Sequence, residues 1–266
     1  MALVVLRHGE RTDYVEPSWV SSAQRPWDPP LTDTGREQAW LAGAAIRTHL
    51  LKLGLPPVTR GFTSPLIRCA ETATIAVGAL GSSFLCGVEP SLSEITDRSW
   101  YHSWGVPGAN SVWGGPAHCR VGTEVPRDKL HPAVFQPAGK LFLRRHEFPE
   151  NISGKLSREY SPYLPASDFN ACWDSPETET EVFSRVSRFA ESCISNFSRE
   201  TTLLCTHGGP ATFLYEGLCD PLDEIECGYT AIFVLVKYWP NWKALVKGNV
   251  DHLPAEDSLA TAALPP

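Results

Sequence analysis

The chain has 266 residues, of which 42% are hydrophobic, enough for a sizeable core in one large α/β domain or two small ones. Its formal charge of −7 at pH 7 argues against a broad nucleic-acid or anionic-membrane surface, so any anion site has to be a local basic pocket. Eight cysteines without paired framework spacing suit reduced thiols. No stretch approaches a membrane span, and Met1–Leu6 lacks the features of a signal peptide. The expectation is a soluble, cytoplasmic or nuclear protein that binds neither nucleic acid nor membrane.

Leu3–Leu6 is a short apolar run that ends in Arg7-His8-Gly9-Glu10-Arg11. Such a run fits a strand covered on both faces, as in a parallel sheet, and ligands of those sheets bind beyond the carboxyl ends of the strands. Gly9 is expected to let the backbone turn and approach a ligand. Residues 12–31, with Pro17, Pro26, Pro29 and Pro30, read as loop bordering this site. Thr32 caps a helix that runs to about Leu53, with Ala39, Ala42, Ile46 and Leu50 at helical spacing. Arg60–Thr63 reads as a strand. Ser64-Pro65 reads as the N-cap and first position of a helix through Leu80, which places Arg68 in the first turn. A cation there is disfavoured by the helix dipole unless an anion is bound.

Phe84–Val88 is a third strand, followed by Glu89-Pro90-Ser91-Leu92-Ser93-Glu94. From about 95 to 177 periodicity fades, and this stretch is expected to be a cap-like insertion of short elements, with Trp100, Tyr101, Trp104 and Trp113 as pocket walls or as its own small core. Two patterns in it are rejected. Cys119 and Arg127 lack the spacing of a cysteine-phosphatase loop, and His102, His118, Cys119, His131 and His146 lack paired metal-ligand spacing, so no metal and no cofactor are expected. Glu181–Phe197 is an amphipathic helix whose apolar face carries Val182, Val186, Phe189, Cys193 and Phe197, with Arg185, Arg188 and Glu191 off that face. Thr201–Thr206 is a strand, His207-Gly208-Gly209-Pro210 its turn, and Ala211–Leu218 a helix. Ala231–Val236 is a further strand. Residues 1–250 are expected to form a single domain, and 251–266 a disordered tail.

Two strands that each end in His-Gly, two hundred residues apart, are the strongest signal. With Arg7-His8-Gly9, the later His207, Pro-Leu-Thr-x-x-Gly-x-x-Gln-Ala at 30–39 and Ser-Pro-x-x-Arg-x-x-x-Thr-Ala at 64–73, the chain resembles the histidine phosphatase superfamily, the phosphoglycerate-mutase-like proteins, over residues 2 to about 236. Arg-His-Gly-Glu-Arg and Glu-Pro-x-Leu-x-Glu resemble the branch of T-cell-signalling tyrosine phosphatases and insect ecdysteroid-phosphate phosphatases. The resemblance implies a three-layer α/β sandwich with a mostly parallel central sheet, helices on both faces and a cap-like insertion.

Phosphoryl transfer needs a nucleophile, cations for the equatorial oxygens and an acid for the leaving group. A neutral imidazole can attack phosphorus, and His8 stands where the resemblance puts the nucleophile. The resemblance also implies phosphate binding by Arg7, Arg68 and His207, with Arg11 as a fourth group, and a general acid/base at Glu94. Glu89 and Glu10 are competing carboxylates. The leading reading is a metal-independent phosphomonoesterase acting through phosphohistidine on a phosphorylated small molecule or phosphoprotein. The alternatives are a phosphoglycerate mutase, a sugar-bisphosphate phosphatase or a phospho-ligand binding module. Mutases of the family usually carry Ser and Asn where this chain has Arg11 and Tyr14.

Overall fold

The computed structural model describes residues 1–16, 18–25, 27–95, 141–169, 177–219 and 225–255. The apolar runs assemble into a six-stranded sheet in the order β3-β2-β4-β1-β5-β6. Here β1 is Ala2–Arg7, β2 Val58–Thr63, β3 Gly87–Val88, β4 Thr201–Thr206, β5 Ile232–Tyr238 and β6 Asn241–Asn249. The four strands β3, β2, β4 and β1 are parallel; β5 runs antiparallel to β1, and β6 antiparallel to β5. Arg7 lies opposite Thr206, and Thr63 opposite Cys205. Of the parallel strands, β1, β4 and β2 therefore end nearly level, and the residues that follow them, His8, His207 and Ser64, emerge at one end of the sheet.

Helices cover both faces, as the two-sided burial of β1 requires: Ala2 through Leu6 are all fully buried. Side chains alternate along the strand. Ala2, Val4 and Leu6 meet Ala42 and Ile46 of α1 (Asp33–Lys52) and Ala70 and Ala73 of α2 (Ile67–Ala79). Leu3 and Val5 meet Val186 and Phe189 of α3 (Glu179–Asn196) and Ala211 and Leu214 of α4 (Gly208–Cys219). Thr32 caps α1 by accepting from Gly35 N, as its side chain suggests.

Several elements differ from the sequence expectations. Residues 12–31 include the helical turns Thr12–Val15 and Trp19–Ser22, because a single turn fits between prolines where a full helix does not. α2 begins at Ile67 rather than at Pro65, with Asp28 Oδ1 accepting from Ile67 N at 2.7 Å, so Ser64 is released from capping. The third strand is only Gly87–Val88, since Cys86 makes its bridge to Leu156 instead. α4 starts at Gly208, immediately after His207. β6 was not anticipated: its residues are half-buried to exposed and give no clean alternation.

Within the insertion, residues 141–169 return to the body of the fold. Phe148, Ile152 and Leu156 join the core beside α2. Residues 251–255, expected in the tail, pack instead: Leu253 is 7% exposed, and His252 Nε2 bonds Thr230 Oγ1 at 3.0 Å. Trp100, Tyr101, Trp104, Trp113, His102, His118, Cys119, Arg127, His131 and residues 256–266 lie outside the described residues.

α1 and α2 approach closely at Gly43, where a Cβ would stand 2.4 Å from the Ala76 carbonyl oxygen and 2.7 Å from Ala79 Cβ. Replacing glycine by alanine inside a helix ordinarily stabilises by up to about 1 kcal/mol. Here the clash is with backbone and reverses the sign. Gly43→Ala is expected to destabilise the fold by about 1–3 kcal/mol, read as a lower urea midpoint at unchanged slope.

Candidate active site

His8 leaves β1 held at both backbone groups: its N–H donates to Thr206 O at 3.0 Å, and its carbonyl accepts from Thr230 N at 3.2 Å. The ring Nδ1 lies 2.8 Å from Gly9 O, an oxygen that can only accept. Nδ1 therefore carries the proton of the neutral ring, and the lone pair is on Nε2. Gly9 serves a different purpose from the one expected. A Cβ there would meet Gly35 O at 2.5 Å, so the glycine admits the backbone of α1 rather than a ligand. Gly9 N donates to Thr72 Oγ1 at 3.1 Å, which ties the same turn to α2.

The end of β4 brings His207 beside His8, their rings edge to face with centroids 5.2 Å apart. Ser64 Oγ lies 2.8 Å from His207 Nε2, and it also accepts from Leu66 N at 3.4 Å. Where the hydroxyl donates to Nε2, the proton of neutral His207 is on Nδ1. That nitrogen is 3.9 Å from Glu94 Oε2. Ser64 was read from the sequence only as a helix cap. Its partner lies 143 residues away, so no local signal marked the contact.

Three guanidinium groups surround this pair. Arg7 donates from Nη1 to Cys227 O and lies over the Tyr229 ring at 4.9 Å. Arg11 is held by Asp13 through Nε–Oδ1 and Nη2–Oδ2 contacts of 3.0 and 2.5 Å. Arg68 is fully buried, with Nη1 3.4 Å from Trp27 O and 4.0 Å from Asp28 Oδ1. Among the described residues, Arg68 Nε and Nη2 and Arg7 Nε are buried without a hydrogen-bond partner. Buried donors are ordinarily paired, and these forks match an anion with several oxygens.

Six candidate residues thus converge from β1, α2, the segment after β3 and the end of β4. Glu89 does not join them. It is fully buried and accepts from Ser91 N, Tyr160 OH, Tyr163 N and Leu164 N at 2.6–3.3 Å, which makes it an anchor of backbone. Glu10 accepts from Thr32 Oγ1 at 2.7 Å, at the start of α1. No cluster of three or more His, Cys, Asp or Glu able to hold a metal occurs among the described residues.

A model described as histidine phosphatase superfamily (branch 1) matches residues 3–102. That stretch is similar to the superfamily. It contains Arg7, His8, Arg11, Arg68 and Glu94, while His207 lies beyond it. No curated protein matches the chain significantly. Among solved structures, the ecdysone phosphate phosphatase of Bombix mori in complex with tungstate is similar, with a TM-score of 0.62, 19% identity, and coverage of 96% of this chain and 95% of that one. A mycobacterial glucosyl-3-phosphoglycerate phosphatase in complex with VO3 follows at a TM-score of 0.51, 17% identity and coverage of 94% and 99%. A phosphoserine phosphatase variant from Entamoeba histolytica in complex with phosphoserine has a TM-score of 0.52, 14% identity and coverage of 95% and 99%. At these identities the likeness is one of fold.

Burial sets the protonation of the candidate site. It pulls the His8 imidazole well below its usual pKa, and Arg68, Arg7 and Arg11 reinforce the shift. Burial does the same to His207, helped by Arg68 and His8. Glu94 moves the other way: burial raises its carboxyl above the ordinary range, against the pull of Arg68. Burial and Arg11 lower the Arg68 guanidinium, whereas Asp13 outweighs burial and raises Arg11.

The depressed histidines have a consequence for stability. The unfolded chain takes up protons at histidine below about pH 6.5, and the folded site resists until much lower pH. Stability therefore falls as pH drops from about 6.5. His8→Gln is expected to show a shallower loss between about pH 6.5 and 5 than wild type, measured by urea unfolding at each pH.

Proposed function

We propose that the protein is a phosphomonoesterase that works through a phosphohistidine on His8, without a metal ion. One observation carries the reading. Two imidazoles kept neutral by burial lie edge to face at 5.2 Å among three guanidiniums, and in two of these, Arg7 and Arg68, buried N–H groups have no protein partner among the described residues. A dianionic phosphoryl group would satisfy those donors, with Arg7, Arg11 and Arg68 binding its oxygens and His207 donating from Nδ1. These cations supply the charge stabilisation that phosphoryl transfer requires. The match to the histidine phosphatase superfamily, and the phosphatases among proteins of like fold, support the same reading.

In the first step the Nε2 lone pair of His8 forms the P–N bond as the ester P–O bond breaks, and the Glu94 carboxyl gives its proton to the departing oxygen. The Nδ1–H bond to Gly9 O stabilises the positive charge on the phosphorylated ring. In the second step water attacks phosphorus and Glu94 takes a proton from it. The P–N pair returns to Nε2, and orthophosphate leaves. The substrate is a phosphorylated small molecule or a phosphoprotein, chosen by residues 12–31 and the insertion. Among the described residues, no helix is long and apolar enough to cross a membrane.

Phosphate release from p-nitrophenyl phosphate in EDTA tests this. His8→Ala should lower kcat/KM at least about a thousandfold. A variant that keeps more than about a tenth of wild-type activity would sink the proposal. With β-glycerophosphate, whose alkoxide needs a proton to leave, the wild-type kcat/KM profile should fall on the alkaline side as Glu94 ionises, above the usual carboxylate range, and Glu94→Gln should remove that limb.

A further inference from the structure

Among the described residues, little holds the carboxyl of Glu94. Its Oε1 accepts from Ile95 N at 3.1 Å, and the strand that precedes the segment is only two residues long. The backbone of the segment, by contrast, is gripped from α3. Arg185 donates from Nη1 to Ser91 O and Ser93 O at 2.8 and 2.9 Å, and from Nη2 to Glu94 O at 3.0 Å. Its Nε and Nη2 also donate to the two oxygens of Glu177 at 2.7 and 2.9 Å. These five bonds match the five N–H groups of a guanidinium. Arg185 is 6% exposed, although its place in the helix period put it off the apolar face.

We propose that Arg185, with Glu177 as its counter-charge, is a positioning residue that fixes the Ser91–Glu94 backbone and so directs the Glu94 carboxyl to the leaving-group oxygen. This rests on the role proposed above for Glu94. Proton transfer in a transition state is sensitive to displacements of about 1 Å, and a two-residue strand with a single turn behind it does not give that precision. A planar fork that takes three carbonyls from four consecutive residues does. Glu89 grips the same segment from its other end, through Ser91 N. Glu177 is needed because an unbalanced cation so close would favour ionised Glu94, adding to Arg68 and Arg7. Its carboxylate offsets that pull while leaving the fork in place.

A leaving-group comparison separates this role from one in which Arg185 merely holds α3 to the body. The kcat/KM value reports only the steps through P–O cleavage, so it isolates Glu94 as acid. p-Nitrophenolate departs with little need of a proton, whereas the alkoxide of β-glycerophosphate needs one. In Arg185→Lys and Glu177→Gln, with folding checked by circular dichroism, kcat/KM should fall about threefold for the aryl ester and about thirtyfold or more for the alkyl ester. Equal losses on both esters, or none on either, would overturn the inference while leaving the function of His8 intact. Wild type without His8-dependent turnover of either ester would remove the proposed function, and this inference with it.

Discussion

Burial of like charge is the constraint around which the structure is arranged. Arg7, Arg11 and Arg68 stand close enough to depress both histidines, and each is withdrawn from water to a large degree. Among the described residues, only Arg11 has a full counter-charge, in Asp13. Asp28 lies 4.0 Å from Arg68 but bonds Arg25 at 3.0 Å and the first N–H of α2 at 2.7 Å. An excess of buried positive charge is therefore left, which opposes folding. Such a cluster persists only where the surrounding structure over-determines it.

The surrounding structure does so through backbone. The turn after β1 is joined to three elements and to the segment before β5 within two residues. His8 N–H and carbonyl reach Thr206 and Thr230, Gly9 N–H reaches Thr72 on α2, and the missing side chain of Gly9 brings α1 into contact at Gly35. None of these ties uses a side chain that the proposed chemistry needs. Backbone thus fixes where the imidazole and guanidinium groups start.

What could be read from the sequence follows from this division. The Leu3–Leu6 and Thr201–Thr206 strands and the Thr32 cap were legible because their signals are local: a short apolar run, a histidine-glycine exit, a capping oxygen three residues ahead of its donor. The amphipathic period of α3 was legible too, but it misjudged Arg185. A helical period records apolar side chains, and a buried guanidinium that answers carbonyls about ninety residues earlier leaves no mark in it. Ser64 was misjudged for the same reason, since Ser-Pro is a sound local start signal and the hydroxyl is held instead by a histidine on another strand. β6 escaped because an edge strand that is half-exposed on both faces has neither the alternation nor the continuous apolar run that marks a strand. Pairing with β5, not its own pattern, makes it a strand.

One physical cause prepares both the proposed nucleophile and the proposed acid. Withdrawal from water disfavours charge, whatever its sign, so the same burial that lowers the pKa of His8 and keeps it neutral raises that of Glu94. The arginines do not act so evenly. They lower both groups, which helps the nucleophile and works against the acid, and at Glu94 burial wins. A phosphoryl dianion among the same arginines would cancel part of their field. That favours protonated Glu94 at the moment a proton is to be given, and the imidazole, already bound through Nδ1 to Gly9 O, keeps its lone pair turned away from that bond. In the proposed reaction the substrate would complete the acid by binding. The leaving-group carboxyl is then fully prepared only when there is a leaving group to receive its proton.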